Sequence, residues 1–203
     1  MIAIIDYGMG NLGSVKKALD FLGQPCVITD DGAVASSADA MVLPGVGAIT
    51  HAMKAITEKK LDRVVYDFID SDKPFLGICL GMQMLFETSE EYGPDKKPVR
   101  GLGILPGSVR RFSPEYGLKV PQIGWNNLSN VCHPDLRQDD YVYFVHSYYC
   151  APDRSEDITA TTTYGLTYAA AVARENVSAM QFHPEKSGEA GLLILNRWAR
   201  RIG

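Results

Sequence analysis

The sequence predicts an α/β fold, with a mixed, mostly parallel sheet, helices on both faces and an antiparallel extension. Strand-like and helix-like segments alternate over the first half of the chain, the order that builds a helix-covered parallel sheet. After about residue 100, strand-like segments follow one another with only turns between them, which indicates antiparallel pairing. The composition, 46% hydrophobic and 22% charged, is that of a globular chain. We expect residues 1–203 to form a single domain.

Short apolar runs predict the parallel strands, and amphipathic segments between them predict helices. After the first strand, apolar residues from Leu12 to Leu22 recur at helical spacing, and Gly23 is a natural helix end. The predicted strands of this half are Ile2–Ile5, Cys26–Thr29, Ala40–Leu43 and Phe75–Ile78, and the predicted helices are 12–22, 48–58, 61–71 and 80–88.

The second half contains six strand-like stretches and one closing helix. Segment 90–100 is rich in proline, glycine and charge, so we expect it to be the least ordered part of the chain. The predicted strands lie within 103–112, 121–128, 141–149, 158–164, 166–173 and 177–182, and the helix within 189–201.

Charge and hydropathy exclude several classes of function. The formal net charge of −4 gives no general attraction to nucleic acid or to an anionic membrane. The start MIAIIDYG lacks a basic residue and its apolar run ends at Asp6, so we expect no signal peptide. No segment approaches the roughly 18 apolar residues that a membrane-spanning helix needs. We therefore expect a cytoplasmic protein.

The four cysteines are scattered, with no CxxC pair and no metal-ligand spacing. Cys26 and Cys150 lie in apolar runs and are expected in the core, whereas Cys132 is expected in a loop. Cys79 differs, because it sits in Gly-Ile-Cys-Leu-Gly between a predicted strand and a predicted helix. Such a sharp corner exposes its central residue above the sheet and needs small neighbours, as in the GxSxG nucleophile elbow. The helix start favours the thiolate, and the Leu80 N–H points toward a developing oxyanion.

A thiol nucleophile requires an imidazole, and the imidazole requires an orienting carboxylate. Of the four histidines, only His183 combines a strand end with a following Pro-Glu. The residue before proline favours extended geometry, in which positions i and i+2 face the same side. Glu185 can therefore reach the far nitrogen of His183. The loop Gly45-Val46-Gly47, which follows another predicted strand, could supply a second oxyanion donor.

The stretch from Pro74 to Gln83, paired with His183-Pro184-Glu185 downstream, resembles the motifs of class I glutamine amidotransferases. The resemblance covers essentially the whole chain and implies the three-layer α/β fold of that family. It also implies Cys79 as nucleophile, His183 as general base and acid, and Glu185 as the carboxylate that orients the histidine. The residues implied to form the oxyanion hole are Leu80, Gly45, Val46 and Gly47, and those implied to bind glutamine are Gly47, Gln83, Glu91, His146, Ser147 and Tyr148.

Four further stretches resemble one member of the family that passes ammonia to a separate partner in histidine biosynthesis. They are Asp6–Asn11, Gly124–Asn126, Tyr143–Tyr148 and His183–Ser187. The implied partner is a (β/α)8-barrel cyclase subunit, docked around the mouth of the Cys79 site. The residues implied to contact it are Asn11, Trp125, Asn126, Tyr143 and Lys186. The implied chemistry, hydrolysis of glutamine through a γ-glutamyl thioester, needs no metal or organic cofactor.

Three other interpretations remain open at the level of sequence. The chain could be the glutaminase subunit of a different amidotransferase, such as the one that makes pyridoxal phosphate. It could be a stand-alone γ-glutamyl hydrolase or cysteine peptidase on a similar fold. It could also be an inactive glutaminase-like regulatory module, although such a module usually lacks the cysteine or the histidine, and both Cys79 and His183 are present.

Overall fold

The computed structural model describes residues 1–93, 97–113 and 117–202. Its helices are α1 (Leu12–Phe21), α2 (Gly32–Ser37), α3 (Ile49–Glu58), α4 (Leu61–Asp70), α5 (Leu80–Met84) and α6 (Gly188–Ala199). Its strands are β1 (Ile2–Ile5), β2 (Cys26–Thr29), β3 (Ala40–Gly45), β4 (Phe75–Cys79), β5 (Phe86–Tyr92), β6 (Pro98–Arg100), β7 (Leu105–Arg111), β8 (Gln122–Asn127), β9 (Tyr141–His146), β10 (Tyr148–Pro152), β11 (Ile158–Tyr164), β12 (Leu166–Arg174) and β13 (Val177–Met180).

The main sheet has seven strands in the order β11-β12-β13-β4-β3-β1-β2. The five strands from β13 to β2 run parallel to one another, whereas β12 and β11 are added antiparallel at one edge. The predicted mixed, mostly parallel sheet with an antiparallel extension is confirmed.

Two hydrophobic cores lie on opposite faces of this sheet, because successive side chains of a strand point to opposite sides. In β1, Ala3 and Ile5 pack with α2, α3 and α4, whereas Ile2 and Ile4 pack with α1 and α6. The strands that form the centre of the sheet are buried on both faces, which explains their continuous apolar sequences. The result is the predicted three-layer arrangement of helices, sheet and helices.

Two smaller sheets contain the remaining strands. One has the order β10-β7-β5-β6, and the other pairs β8 with β9. The prediction of a helix over 80–88 is wrong beyond Met84. From Phe86 the chain forms strand β5, which pairs with β7. The single strand predicted over 141–149 is in fact two strands, β9 and β10, which belong to different sheets and meet at Ser147.

Smaller differences from the prediction have local causes. Helix α2 was not predicted; it is only six residues long, and the Asp31 side chain caps it by accepting hydrogen bonds from the N–H groups of Ala33 and Val34. Cys26 is half-buried at a sheet edge rather than in the core, whereas Cys150 is buried and Cys132 lies in a loop, both as predicted. Segment 90–100 contributes to β5 and β6 at its ends, and its residues 94–96 lie outside the described residues.

The sheet places the candidate site, since parallel strands all end at the same edge. The chain leaves β1 before Asn11, β3 at Gly45, β4 at Cys79 and β13 shortly before His183. None of the helices in the described part of the chain combines the length and the apolar character needed to cross a bilayer.

Candidate active site

A pocket of about 480 Å³ opens at the carboxyl edge of the parallel strands. All the catalytic, oxyanion-hole and glutamine-binding residues proposed from the sequence line it, except Gly45 and Glu185, and so does Lys186. Gly45 and Glu185 lie directly behind the lining, in contact with residues that form it. The sequence did not predict three further lining residues, which are Ala48, Pro121 and Val145.

Cys79 forms a strained corner between β4 and α5, with φ 55° and ψ −108°. A non-glycine residue in this region is costly and persists only where its surroundings impose it, as at nucleophile elbows. Here β4 is held between β3 and β13, and a Cβ at Gly81 would lie 1.8 Å from the carbonyl oxygen of Leu43. Glycine at 81 is therefore what allows the chain to turn so close to β3.

The corner is less accessible than the sequence predicted. Cys79 is only 5% exposed, and its Sγ lies 3.9 Å from the carbonyl oxygen of Val145 on β9. The strand β9 thus passes over the thiol. The thiol is accessible only from the pocket that it lines. Helix α5 has five residues instead of the predicted nine, so its dipole near the thiol is that of a single turn.

His183 and Glu185 form a buried pair beside the thiol. The Nδ1 atom of His183 lies 2.8 Å from Glu185 Oε1, and the two side chains are 2% and 1% exposed. The pairing predicted from an extended backbone is formed instead by a short 3-10 turn, Pro184–Lys186, with Ser187 Oγ donating a hydrogen bond to the His183 carbonyl. His183 lines the pocket, and its Nε2 atom has no hydrogen-bond partner among the described residues.

The charge state of His183 follows from its neighbours. Burial disfavours the imidazolium, but interactions with the Cys79 sulfur and the Glu185 carboxylate outweigh burial and raise the pKa of His183 to about 9. At neutral pH the ring is therefore protonated, with its free N–H available on the side of the pocket. This is the state in which an imidazolium beside a thiolate can donate a proton to a leaving group.

His146 also lines the pocket, but its surroundings keep it neutral. Burial lowers the pKa of His146 to about 4, with a smaller contribution of the same sign from His183 and an opposing one from the hydrogen bond to the Tyr148 carbonyl. Its Nδ1 donates to that carbonyl at 2.7 Å, and its Nε2 lies 3.1 Å from the Tyr168 hydroxyl. The Tyr168 hydroxyl donates its own hydrogen to Gln122 Oε1 at 2.8 Å, so the pair of contacts fixes the position of the ring rather than its protonation.

Two adjacent carboxylates, Glu90 and Glu91, could hold an ammonium group of a ligand, and only one of them faces the pocket. Glu91 lines the pocket, where its Oε2 accepts a hydrogen bond from the Ile49 N–H at 3.1 Å. Glu90 instead accepts from the Arg111 N–H at 2.8 Å, away from the pocket lining. Glu91 is the carboxylate placed to face a ligand.

The predicted oxyanion-hole loop follows β3, where Gly45 pairs in register with Cys79. A Cβ at Gly45 would lie 2.5 Å from the Tyr7 hydroxyl, so the loop can approach the corner only with glycine at this position. Gly47 adopts φ +89°, a conformation that side-chain-bearing residues rarely take. The loop therefore brings backbone groups next to Cys79 and Leu80.

Gln181 is a site residue that the sequence analysis missed. Its fully buried side chain accepts a hydrogen bond at Oε1 from Gln83 Nε2 at 3.0 Å, and its own Nε2 lies 3.8 Å from Cys79 Sγ. Gln83 Nε2 also donates to the Tyr148 carbonyl at 3.0 Å. A signal was present in the sequence, because position 181 is two residues before His183 in an extended run and so faces the same side.

Of the residues predicted to contact a partner, Lys186 lines the pocket and the other four lie outside its lining. Trp125 is 49% exposed and packs edge-on against Tyr143 across the β8–β9 pair. Lys186 is exposed at the pocket lining. Asn11 and Asn126 form hydrogen bonds within the chain, Asn11 to Glu185 Oε1 at 3.2 Å and Asn126 to the Thr163 carbonyl at 2.8 Å.

A larger apolar surface surrounds Trp125 than the sequence suggested. Ile123 and Tyr141 are 61% and 57% exposed, and the Tyr141 and Trp125 rings stack with their planes 8° apart. Strand register puts Ile123, Trp125, Tyr141 and Tyr143 on one face of the β8–β9 pair, which we call the aromatic face. Val145 lies on the same face and lines the pocket, so the aromatic face continues to the pocket mouth.

The strained thiol corner, the imidazole–carboxylate pair and the three-layer sheet define a class of enzyme. The family model described as Glutamine amidotransferase class-I matches residues 3–199, and the chain belongs to this family. A solved structure titled as a glutamine amidotransferase has the same fold, with a TM-score of 0.75 at 19% identity over 99% of this chain and 97% of that chain.

Closer relatives specify the member of that class. A protein of Cyanothece sp. named imidazole glycerol phosphate synthase subunit HisH is 49% identical over 209 residues, which cover 100% of this chain and 96% of the relative. One of the same name from Herpetosiphon aurantiacus is 45% identical over 201 residues, covering 98% of this chain and 93% of the relative. Among the class I glutamine amidotransferases, the chain belongs to the imidazole glycerol phosphate synthase subunit HisH family.

Proposed function

We propose that the chain is the glutaminase subunit of imidazole glycerol phosphate synthase, which hydrolyses glutamine and passes the ammonia to a cyclase subunit in histidine biosynthesis. The observation that carries the proposal is the corner residue Cys79 beside the buried His183–Glu185 pair, in a pocket whose lining includes Glu91. The names of relatives at 45% to 49% identity over nearly the whole chain support the choice of synthase.

The proposed reaction uses groups of this chain only. The Cys79 thiolate attacks the side-chain amide carbon of glutamine, and the N–H of Leu80 together with the loop at Gly45, Val46 and Gly47 stabilises the oxyanion. Protonated His183 transfers its proton to the departing nitrogen, the C–N bond breaks, and ammonia leaves with a γ-glutamyl thioester remaining on Cys79. Neutral His183 then takes a proton from water, which hydrolyses the thioester to glutamate.

The pocket offers complementary groups to both ends of glutamine. In the proposed complex Glu91 binds the α-ammonium group, while hydroxyl and amide donors near Ser147 and Tyr148 bind the α-carboxylate. Gln83 and Gly47 line the same space, and neutral His146 holds the Tyr148 carbonyl in place. Glu185 accepts a hydrogen bond from His183 Nδ1, which leaves Nε2 for the reacting atoms.

We further propose that the partner is a (β/α)8-barrel cyclase subunit docked on the aromatic face. The cyclase would use the ammonia on its phosphoribulosyl nucleotide substrate to form imidazole glycerol phosphate and an aminoimidazole carboxamide nucleotide. Contiguous exposed aromatic side chains are typical of interaction sites, and this face reaches the pocket mouth where ammonia would leave. Exposed Lys186 is placed to pair with a carboxylate of the partner, and Asn11 and Asn126 complete the proposed interface.

We also propose that the chain works in the cytoplasm, since the reaction needs a reduced Cys79. The four cysteines are all free thiols in the structure, in keeping with a reducing compartment. Two other functions remain as alternatives: the glutaminase subunit of another amidotransferase, and a stand-alone γ-glutamyl or cysteine hydrolase. Copurification of the chain with a cyclase that forms imidazole glycerol phosphate would argue against both alternatives.

Cys79→Ser tests the proposed chemistry in the assembled synthase. A hydroxyl keeps the shape of the side chain but is far harder to deprotonate than a thiol, so glutamine-dependent product formation should fall below detection. Product formation from a high concentration of ammonium should continue at the wild-type rate, because the cyclase needs only ammonia. Appreciable glutamine hydrolysis by a clean Cys79→Ser preparation would refute the assignment of the nucleophile.

Trp125→Ala tests the proposed docking surface, with Phe21→Ala as its matched control. Both side chains are exposed aromatics, 49% and 77%, but Phe21 lies at the end of α1 remote from the site. Removing a central aromatic anchor commonly costs about 2 kcal/mol or more, so Trp125→Ala should weaken cyclase binding at least tenfold in a calorimetric titration. Equal effects of the two substitutions would place the partner elsewhere.

A further inference from the structure

The buried amide of Gln181 lies between Cys79 and Gln83. Its Oε1 is 3.0 Å from Gln83 Nε2, and its Nε2 is 3.8 Å from Cys79 Sγ, within range for a hydrogen bond to sulfur. The residue is 0% exposed, so its polar atoms have to be satisfied by protein groups.

The hydrogen bonds fix which end of the Gln181 amide faces the sulfur. A backbone carbonyl can only accept, so the Tyr148 carbonyl requires that Gln83 present its NH2 group to it. The second hydrogen of the same NH2 group points to Gln181, which must therefore present its oxygen to Gln83. This leaves the NH2 group of Gln181 facing Cys79.

His146 supports this arrangement from the other side. Because the ring is neutral, it carries one N–H, and that N–H donates to the same Tyr148 carbonyl at 2.7 Å. The carbonyl is thus saturated by two donors, one from His146 and one from Gln83, which holds both side chains in a single orientation. Every group on the path from His146 to Gln181 has one allowed direction of donation.

We propose that Gln181 is a further catalytic residue, whose side-chain NH2 group stabilises the Cys79 thiolate while its carbonyl oxygen holds Gln83 in position. The proposal rests on the function proposed above. A thiolate that is 5% exposed gains little from water and needs donors from the protein. His183 supplies one positive group, and the Val145 carbonyl, 3.9 Å from the sulfur, can serve the thiol but not the anion. Gln181 supplies a second N–H donor, and a hydrogen bond to a charged group is stronger than one between neutral groups.

The test is the pH dependence of Cys79 alkylation by iodoacetamide, read by mass spectrometry of the Cys79 peptide. Gln181→Met removes the amide but keeps most of the side-chain length. We expect alkylation of Cys79 at pH 7 to slow about tenfold, and the pH of half-maximal rate to rise by about one unit. Exposed Cys132 in the same sample is the internal reference and should be alkylated as in the wild type.

Gln181→Asn gives a second variant that keeps a polar amide in the buried site. It is one methylene shorter, so its NH2 group is withdrawn from the sulfur, and the same upward shift in the pH profile is expected. If both variants react with the wild-type pH profile and only the KM for glutamine rises in the cyclase complex, Gln181 merely positions Gln83 and the proposal is wrong. Alkylation needs no glutamine turnover, so an inactive wild-type enzyme would refute the proposed function without affecting this result.

Discussion

At the scale of single residues, the proposed chemistry depends on the charge of His183. Its positive charge at neutral pH arises from two neighbours that favour it, the Cys79 sulfur and the Glu185 carboxylate, against the opposing effect of burial. An imidazolium next to a thiolate is ready both to stabilise the nucleophile and to protonate the leaving nitrogen. His146, which lines the same pocket, has no such neighbours, and burial lowers its pKa to about 4.

Removal of the thiolate should therefore change the titration of His183. In Cys79→Ala, the pKa of His183 should fall below about 9, because burial is then opposed by Glu185 alone. NMR titration of the ring Cε1–H resonance, assigned with a His183→Gln variant, measures it. An unchanged pKa in Cys79→Ala would show that the sulfur does not interact with the ring.

The raised pKa of His183 also makes the stability of the fold depend on pH. The pKa of His183 is 6.5 in the unfolded chain and about 9 in the folded chain, so the protonated ring stabilises the fold. This stabilisation is complete below about pH 6.5 and is lost as the pH rises through about 9. The free energy of unfolding of the wild type should thus fall between about pH 6.5 and pH 9 by more than that of Cys79→Ala, as measured by urea denaturation.

Sequence reasoning reached most individual site residues but not all of them. Cys79, His183 and Glu185 stood out because their chemistry is specific and their neighbours, glycines and a proline, mark the local backbone. Gln181 has no glycine or proline beside it, and its spacing of two residues from His183 does not by itself distinguish a site residue from an amide that is satisfied within the core. Only the approach of Gln83 and Cys79, which are separated from it by about a hundred residues in the sequence, gives Gln181 its place in the site.

At the scale of secondary-structure elements, the site depends on how closely the β4–α5 turn approaches β3. The left-handed conformation of Cys79 is imposed by strands on both sides of β4 and by the absence of a side chain at Gly81. Such strain is stable only while the surrounding sheet is intact. The geometry of the nucleophile is therefore coupled to the stability of the sheet.

Gly81→Ala should be strongly destabilising. The added Cβ would lie 1.8 Å from the Leu43 carbonyl oxygen, a backbone atom that can move only if β3 moves, so we expect a loss of at least about 3 kcal/mol. Gly13→Ala in α1 is the matched control, because its Cβ would meet nothing within 4 Å; alanine there should be neutral or stabilising by about 0.5–1 kcal/mol. Urea denaturation of both variants measures the difference, and similar stabilities would contradict this account of the turn.

Elements were predictable where local pattern decided them. The parallel strands β1 and β2 have the predicted bounds, because short apolar runs between helices leave little choice. Strand β5 was mistaken for helix, since Phe86–Tyr92 is strand only because β7 pairs with it from further along the chain. The division of 141–149 into two strands likewise depends on two different sheets that the local sequence does not reveal.

At the scale of the whole molecule, the pocket and the aromatic face lie next to each other, and Val145 belongs to both. A glutaminase that ran continuously on its own would consume glutamine and release ammonia to solvent. Splitting the enzyme over two chains avoids this loss if the glutaminase works well only when docked. Asn11 donates a hydrogen bond to Glu185, and Lys186 follows Glu185 in the chain. Two of the proposed docking residues therefore lie next to the proposed catalytic residues.

Glutamate release from glutamine, measured for the chain alone and with the cyclase and its nucleotide ligand, tests the central claim most directly. We expect low activity alone and an increase of at least about tenfold in the complex, a coupling of roughly 1.4 kcal/mol or more. Cys79→Ser should release no glutamate in either state. If the free chain already turns over glutamine at full rate and ignores the cyclase, the synthase function is contradicted and a stand-alone amidase becomes the better account.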